Sequence, residues 1–319
     1  VQLVDAALVP SGPASPNLKL NLLVALAVGL GGGLGLALLR HRLDDSVWTE
    51  EELSAPLLTH LPTISGPTLA DRCAHLLQQP FSPHSEAVRR LRSALLSIPF
   101  SGKCRRLVVT SCAPGEGKTH VATQLAMSLA QLGAQVLLVD ADLRRPQLHR
   151  LFGTRVSPGL TDAFATNGYF DGFQDDQGVE REPPPWRTTL AWRTAVPRLH
   201  LLPAGSWASY PNELLSSAEL ERVLEALGKN YHFIILDAPS TSLLSDAAVL
   251  APRSDGVVLV TRQGGITRLE GAQTMDQLRR LGGRVLGVVL NAGPPRPDDL
   301  TRLDRWLRSH GRRLRSGQA

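Results

Sequence analysis

Six short apolar runs, rich in valine, leucine and isoleucine, alternate with helical stretches in the second two thirds of the chain. Each run is hydrophobic almost throughout, as expected for strands that are buried on both faces of a sheet. Strands that alternate with helices build parallel sheets through crossover connections. The pattern therefore predicts an α/β fold, with a mostly parallel sheet covered by helices on both faces. The predicted strands are residues 107–111, 136–140, 199–204, 233–238, 256–261 and 284–291.

A longer apolar run near the start of the chain has a different meaning. Residues 22–39 are eighteen consecutive positions without a charged or strongly polar side chain, the lower limit for a membrane-spanning helix. Arg40 and Arg42 follow this run and Lys19 alone precedes it, so the positive-inside rule places the residues after it in the cytoplasm. We predict one transmembrane helix over residues 18–40. A signal peptide and a buried helix of a soluble protein are the alternatives.

Changes in composition divide the chain further. The first seventeen residues contain three prolines and one charge, which is typical of an extended stalk, and four prolines interrupt residues 41–80. Because the chain begins at Val1 rather than at a methionine, we expect it to be part of a longer protein. The predicted segments are an extracytoplasmic stalk end (1–17), the transmembrane helix (18–40), a cytoplasmic linker (41–80), the α/β domain (81–295) and a basic tail (296–319).

Net charge changes the picture once it is placed along the chain. The 34 basic and 29 acidic residues give +5, which favours an anionic partner. Seven arginines and three aspartates lie in residues 296–319, so +4 of this charge belongs to the tail and the domain is nearly neutral. This distribution excludes a basic nucleic-acid-binding domain. The arginine spacing indicates an amphipathic helix in the tail, either resting on anionic lipid or facing water.

A glycine-rich turn follows the first predicted strand of the domain and leads into a helical stretch. Such a turn presents backbone N–H groups and the positive end of a helix to an anion. Lys118 is expected to reach the β- and γ-phosphates of a nucleotide, and Thr119 to offer its hydroxyl to Mg²⁺. The strict pattern GxxxxGK[ST] is not met, because Cys112 stands at its first glycine. The predicted nucleotide-binding residues are Pro114, Gly115, Glu116, Gly117, Lys118, Thr119 and His120.

Acidic residues stand at the ends of two other predicted strands. Asp140 and Asp142 follow the second run, and Asp237 follows the fourth. The carboxyl ends of parallel strands meet at one edge of the sheet, where open α/β folds bind ligands. For each residue alone, a loop acid that caps the next helix is the alternative. Together these residues predict a nucleotide–Mg²⁺ site, with Thr119, Asp140 and Asp237 as metal ligands.

These motifs resemble those of the bacterial tyrosine autokinases of capsule and exopolysaccharide systems, which are P-loop NTPases related to cell-division and plasmid-partition ATPases. The resemblance rests on residues 114–119, on Asp-Ala-Asp-Leu-Arg at 140–144 and on Ile-Leu-Asp-Ala-Pro at 235–239, and it covers about residues 81–295. Partition ATPases have a signature lysine at the position of Ala113. The alanine favours the kinase branch over a partition ATPase that acts on DNA.

The resemblance implies a membrane-anchored protein-tyrosine kinase that uses ATP and Mg²⁺ and controls exopolysaccharide or capsule polymerisation and export. It implies catalytic roles for Lys118, Asp140 and Asp142, without deciding which aspartate activates the attacking tyrosine hydroxyl. It also implies contact with the polysaccharide polymerase and export machinery at the bacterial inner membrane, a cytoplasmic kinase domain and a periplasmic portion before Val1. The alternative is an ATP-binding co-polymerase subunit that regulates ring assembly and chain length without tyrosine transfer.

A charged pattern upstream of the glycine-rich turn concerns assembly. Glu86, Arg89 and Arg92 are spaced three residues apart, so they share one face of a predicted helix. By itself this spacing indicates a solvated face with an ion pair. It also matches the ExxRxxR pattern with which the family assembles a ring, so the resemblance implies a homo-oligomer through residues 86–92. The family's terminal tyrosine cluster is not matched. The tyrosines of this sequence are Tyr169, Tyr210 and Tyr231.

Overall fold

The computed structural model describes residues 18–43, 55–64, 66, 68–165, 173–174, 180–181, 190–241 and 246–293. Two units are compact by themselves, Val1–Asp45 and Ser46–Ala319. In the first unit the structure describes one helix, α1 (Leu18–Leu43). Within it, Lys19–Leu39 has a mean hydropathy of 2.3 and no buried residue, so it is long and apolar enough to cross a membrane. The predicted apolar helix is confirmed, with its end three residues later than expected.

The second unit contains ten strands, nine further α-helices and a short 3₁₀-helix (Ala251–Arg253) in the described ranges. The strands are β1 (Leu57–Pro62), β2 (Arg105–Ser111), β3 (Val136–Asp140), β4 (Phe173–Gln174), β5 (Glu180–Arg181), β6 (Trp192–Arg193), β7 (Leu199–Leu202), β8 (Phe233–Asp237), β9 (Gly256–Arg262) and β10 (Val285–Gly293). The helices are α2 (Leu69–Gln78), α3 (Pro83–Ser97), α4 (Lys118–Gln131), α5 (Leu148–Leu151), α6 (Leu160–Ala165), α7 (Pro211–Ser216), α8 (Ala218–Gly228), α9 (Asp246–Leu250) and α10 (Arg268–Arg280).

Eight strands form one sheet in the order β1-β10-β9-β2-β8-β3-β7-β6. All neighbours in it are parallel except β6 and β7, which pair antiparallel, as do β4 and β5 in a separate small ladder. One hydrophobic cluster, on the side of α2, α3 and α4, includes Leu91 and Leu125, and the other, on the side of α8 and α10, includes Val223 and Leu278. The predicted parallel sheet with helices on both faces is confirmed, and all six predicted strands are present.

The predicted linker over residues 41–80 is wrong in its second half, where the structure places part of the domain. Strand β1 pairs parallel with β10 at the edge of the sheet, and Leu61 in it is completely buried. Helix α2 packs against α4 and begins with a capping box formed by Thr68 and Asp71. Strand β1 was not predicted because its six residues include a histidine and a final proline and therefore lack a clear apolar run. The Thr-x-x-Asp spacing was a usable signal for α2.

Two adjacent leucines of α2 test whether residues before 81 belong to the folded core. Leu76 is 1% exposed and Leu77 is 47% exposed. We expect Leu76→Ala to lower the free energy of unfolding by about 2–5 kcal/mol, because it leaves a cavity beneath the sheet. Leu77→Ala, the matched control on the same helix, is expected to change it by less than about 1 kcal/mol. Denaturant unfolding of both variants measures the difference, and equal small effects would mean that α2 is not part of the cooperative core.

Candidate active site

The glycine-rich turn links β2 to α4 and depends on two glycines with left-handed backbone. Gly115 has φ +83° and Gly117, which caps α4, has φ +95°. A Cβ atom on Gly117 would stand 2.1 Å from Nδ2 of Asn291, which donates a hydrogen bond of 2.8 Å to the Glu116 carbonyl. The left-handed backbone angle therefore favours glycine at position 117, and any larger residue would also displace the Asn291 amide. Pro114 and Gly115 are exposed and line a cleft beside the turn.

Glu116 braces the turn against the neighbouring strand β9. Its Oε2 accepts from the Ala113 N–H at 2.7 Å, and its Oε1 accepts from the Thr261 hydroxyl at 2.8 Å and the Arg262 N–H at 3.1 Å. Burial raises the pKa of Glu116, although these hydrogen bonds act in the opposite direction. The side chain faces the protein interior, so only the backbone of Glu116 is placed to meet a nucleotide.

Removal of the Glu116 carboxylate is expected to destabilise the domain. Glu116→Ala leaves the Ala113 and Arg262 N–H groups and the Thr261 hydroxyl without their shared acceptor. The expected loss is about 2–4 kcal/mol, because unsatisfied buried donors cost free energy. Glu225→Ala, at an exposed position of α8, is the control and should change stability by less than about 0.5 kcal/mol. Thermal unfolding of both variants measures this, and an unchanged melting temperature for Glu116→Ala would rule out the bracing role.

Lys118 lies among three carboxylates. Its Nζ is 3.0 Å from Oδ2 of Asp142 and 3.8 Å from Oδ1 of Asp237. Burial acts to lower the pKa of Lys118, but the negative charges of Asp237, Asp142 and Asp140 outweigh it, and the pKa is raised. The ammonium group therefore stays charged. The turn and the two acidic strand ends, predicted separately from sequence, meet at one point.

Asp140 and Asp237 face each other across neighbouring strands. They are direct partners in the β3–β8 register, and both are buried. Oδ2 of Asp140 accepts from the N–H groups of Gln147 and Leu148 at 3.0 and 2.9 Å. Burial and the nearby Asp237 raise the pKa of Asp140 to about 7, and burial also raises the pKa of Asp237. Asp140 thus caps the segment that leads into α5, which is the alternative role considered from the sequence. It also lies beside the glycine-rich turn, as a nucleotide site requires.

The donor atoms of this group fit a hard divalent cation. Oδ1 of Asp140 and Oδ1 of Asp237 are buried without a hydrogen-bond partner among the described residues. The nearby Thr119 side chain acts to lower the pKa of Asp237, against the effect of burial. Oxygen atoms are the ligands that Mg²⁺ prefers. Within the described ranges, no group of three or more His, Cys, Asp or Glu side chains is arranged to hold a metal alone. This agrees with Mg²⁺ sites that use few carboxylates and complete their shell with phosphates and water.

His120 was predicted to be among the nucleotide-binding residues, which stays a prediction, and its side chain makes packing contacts in the structure. His120 lies at the cleft, yet its Nδ1 is 3.6 Å from Sγ of Cys73, and its ring centroid is 5.5 Å from that of His84. Burial and the neighbouring His84 lower the pKa of His120 to about 3, so the ring is neutral. The residue after Thr119 therefore connects α4 with α2 and α3, a role that the motif itself does not reveal.

Sequence reasoning missed a chain of polar contacts beside the cleft. Nε of Arg144 is 2.9 Å from Oδ2 of Asp246, a carboxylate that is 1% exposed, and Nδ2 of Asn212 donates to its Oδ1 at 3.1 Å. Arg144 lines the cleft and is held there by this carboxylate, whose hydrogen bond raises the pKa of Arg144. The arginine in Asp-Ala-Asp-Leu-Arg at 140–144 was the available signal. Its contact partner was not visible.

The cleft has a volume of about 610 Å³, within the range of small-molecule sites. The turn, Asp142 and Arg144 line one part of it, and Asn291 and Arg262 lie in its wall. Residues at the end of β1 and the start of α2 contribute another part, namely Pro62, Thr63, Ile64, Leu69 and Arg72. Asp142 lines this cleft, whereas Asp140 and Asp237 are not part of its lining. The three aspartates therefore have different access to a bound molecule.

The charged residues of α3 make contacts within the chain. Arg89 forms an ion pair with Glu86, and both side chains are partly exposed. Arg92 donates to the Ser128 carbonyl at 3.0 Å and to its hydroxyl at 3.1 Å, which fastens α3 to α4. The helix face and the ion pair are confirmed. The subunit interface that these residues were expected to form stays a prediction.

The chain is similar to several known proteins. A family model described as ParA, NUBPL iron-transfer P-loop NTPase, matches residues 104–166. The putative tyrosine-protein kinase EpsB of Ralstonia solanacearum is 32% identical over 308 residues, which cover 92% of this chain and 39% of EpsB. The tyrosine-protein kinase CpsD of Streptococcus agalactiae is 36% identical over 197 residues, 61% of this chain and 79% of CpsD.

A solved structure extends the similarity to three dimensions. The kinase domain of the Escherichia coli tyrosine kinase ETK superposes with a TM-score of 0.64 at 25% identity, covering 76% of this chain and 91% of that domain. The chain spans about two fifths of the length of EpsB. The similarity to the kinase domain thus covers about three quarters of this chain.

Proposed function

The chain belongs to the family of bacterial tyrosine kinases of capsule and exopolysaccharide systems, and on that premise we propose that its α/β domain transfers the γ-phosphoryl group of ATP to tyrosine hydroxyls of proteins. The observation that carries the proposal is Lys118, 3.0 Å from Asp142 and beside Asp140 and Asp237, at the end of a glycine-rich turn. Phosphoryl transfer depends mainly on positioning and charge neutralisation. The anion-binding turn can position the phosphates, and the Lys118 cation can neutralise their charge.

The roles of individual residues follow from their access to the cleft. The backbone of residues 114–119 holds the phosphates, and Lys118 neutralises their charge. Mg²⁺, when bound, would draw negative charge from the phosphates, and Thr119, Asp140 and Asp237 would provide its protein ligands. Asp142 lines the cleft and Asp140 does not. Asp142 is therefore the better placed of the two to accept the proton of an attacking tyrosine hydroxyl.

The setting of this activity is a second part of the proposal. Helix α1 anchors the protein in the bacterial inner membrane, and the kinase domain lies in the cytoplasm, where it acts on the machinery that polymerises and exports exopolysaccharide or capsule. Copies assemble into a ring through residues 86–92, and no nucleic acid takes part. Half-exposed Glu86 and Arg89 on one face of α3 support the interface, since both can exchange their mutual ion pair for one across subunits. Arg92 supports it indirectly, by holding α3 on α4.

Incubation of the chain with γ-labelled ATP and Mg²⁺ tests the proposed function. The expected result is label on tyrosine, in the chain or in an added tyrosine-containing protein, that disappears when EDTA removes the metal. ATP hydrolysis without any tyrosine label would overturn tyrosine kinase activity. Failure to bind ATP at all would overturn the nucleotide site as well.

A co-polymerase subunit that binds ATP to regulate ring assembly and chain length, without tyrosine transfer, is the second candidate. The observation in its favour is the scarcity of acceptors, since the sequence contains three tyrosines and none in residues 296–319. It predicts that Lys118→Ala alters oligomeric state and polymer length while phosphotyrosine is absent from both forms. The kinase proposal predicts that the unmodified chain places phosphate on tyrosine, in itself or in an added protein, and that Lys118→Ala does not.

A further inference from the structure

The segment between β7 and α7 presents two aromatic side chains to solvent. It runs irregularly over residues 203–210. Trp207, in its middle, is 83% exposed, and Tyr210, its last residue, is 70% exposed. Such large aromatic surface is unusual on a free protein surface and is typical of places where another protein binds.

Hydrogen bonds hold this segment at both ends. Near its start, the Ser206 N–H donates to Oδ2 of Asp162 at 3.3 Å, and the same oxygen accepts from the Gly159 N–H at 2.7 Å. Just beyond its end, Asn212 donates to the buried Asp246. The residues between these anchors are therefore displayed on a fixed frame. An enzyme that acts on a tyrosine side chain can bind an exposed, irregular segment of this kind in its active site.

The tyrosines of the sequence differ in availability. The Tyr231 hydroxyl is 2.7 Å from Nδ1 of His200, the two rings meet edge to face, and burial raises the pKa of Tyr231. Tyr169 lies outside the described residues. Tyr210 is the tyrosine of the described part of the chain whose ring is mainly in solvent.

We propose that Tyr210 is a phosphorylation site of this chain and accepts the γ-phosphoryl group of a nucleoside triphosphate held in the cleft of a second copy. The inference rests on the proposed function and adds the acceptor to it. Tyr210 lines a separate groove of about 510 Å³, together with Phe164, Trp207 and Leu214, and does not line the cleft that contains Lys118. The proposed transfer is between molecules, because Tyr210 opens onto this groove rather than onto the cleft of its own copy, with Trp207 as the neighbouring apolar contact for the second copy.

The transfer step balances without any additional reagent. The phenolic oxygen of Tyr210 forms a bond to the γ-phosphorus, and the bond from that phosphorus to the β–γ bridging oxygen breaks. The bridging electron pair leaves with the nucleoside diphosphate, and the phenolic proton passes to Asp142 of the copy that holds the nucleotide and then to water. The product places a doubly charged group two residues from Asn212, which contacts Asp246 and through it Arg144 at the cleft wall.

A mixed-copy experiment tests the site. A tagged Lys118→Ala chain, which serves only as acceptor, is incubated with untagged active chain, ATP and Mg²⁺, and its tyrosines are mapped by mass spectrometry. The expected result is phosphate on Tyr210 of the tagged chain and its loss in the tagged Lys118→Ala, Tyr210→Phe double variant. Tyr231→Phe in the same background is the control and should keep the label.

Each outcome decides the proposal. Phosphate on Tyr169 or Tyr231, with Tyr210→Phe unchanged, would overturn it. Label on an added tyrosine-containing protein but none on the tagged chain would overturn it while leaving the proposed function intact. No tyrosine label on any protein would overturn both. Because Tyr210 is exposed, its replacement should leave the melting temperature unchanged, which separates loss of the acceptor from loss of the fold.

Discussion

Lys118→Ala is expected to reduce tyrosine phosphorylation by at least about 10²–10³-fold, the usual cost of removing one preorganised charge from a developing negative centre. Lys118 is the cation that faces Asp142 and Asp237 at the phosphate-binding turn. Its loss removes this positive charge from the phosphate-binding turn and leaves Asp142 and Asp237 without the cation that faces them. The initial rate of tyrosine labelling at saturating ATP measures the effect on transfer, and titration of ATP separates it from weaker binding.

The matched control for this substitution is Lys229→Ala. Lys229 is exposed at the end of α8 and does not line the cleft. Its removal changes the net charge of the chain by the same amount, so an effect of overall charge would appear in both variants. Retention of activity in Lys118→Ala, or equal losses in the two variants, would contradict the role of Lys118 in the reaction.

Asp140→Asn is expected to stabilise the domain and to impair metal–nucleotide binding at the same time. In the folded protein, burial and Asp237 raise the pKa of the Asp140 carboxyl from 3.8 to about 7, so the folded state binds its proton more tightly than the unfolded state does. Stability therefore falls as pH rises from about 4 to about 7. Above this window the ionised carboxylate costs up to about 4 kcal/mol, since one pKa unit corresponds to about 1.36 kcal/mol.

Asparagine removes this cost and keeps an oxygen for the Gln147 and Leu148 N–H groups. Denaturant unfolding at pH 5 and pH 8 should show a smaller loss of stability with pH for Asp140→Asn than for the unmodified chain, and higher stability at pH 8. ATP binding in the presence of Mg²⁺ should weaken. Asp276→Asn, at an exposed position of α10, is the control and should reproduce neither change. Identical pH dependence in the unmodified chain and Asp140→Asn would contradict the assignment.

The central strands and the phosphate-binding turn could be predicted because their signals are local. Strands such as β3 and β8 are buried on both faces, so nearly every residue in them is apolar. Gly115, Gly117 and Lys118 stand in a short fixed order, because a tight turn before a helix requires that order. The acids at positions 140 and 237 could be placed together from sequence, since neighbouring parallel strands end at the same edge.

Edge elements and side-chain directions could not be predicted in the same way. Strand β1 has only one neighbour, β10, and lacks the uninterrupted apolar run of a central strand. Glu116 and His120 lie within the motif, yet their side chains contact Thr261 and Cys73, which are far away in sequence. Arg92 has the spacing of an interface residue and is bound to Ser128 of the same chain.

The amino-acid sequence by itself determined six strands of the main sheet, the apolar helix near the start, and the turn and acids that predict a nucleotide site. These features depend on the periodicity of neighbouring residues and on backbone limits within a few positions. Tertiary structure decided that β1 and α2 join the domain, that Asp246 holds Arg144 at the cleft, and that the Tyr210 ring is mainly in solvent while Tyr231 is partly buried and bonded to His200. These features depend on which side chains far apart in sequence come into contact and on which side chains stay exposed to solvent after folding. Only the packed chain contains that information.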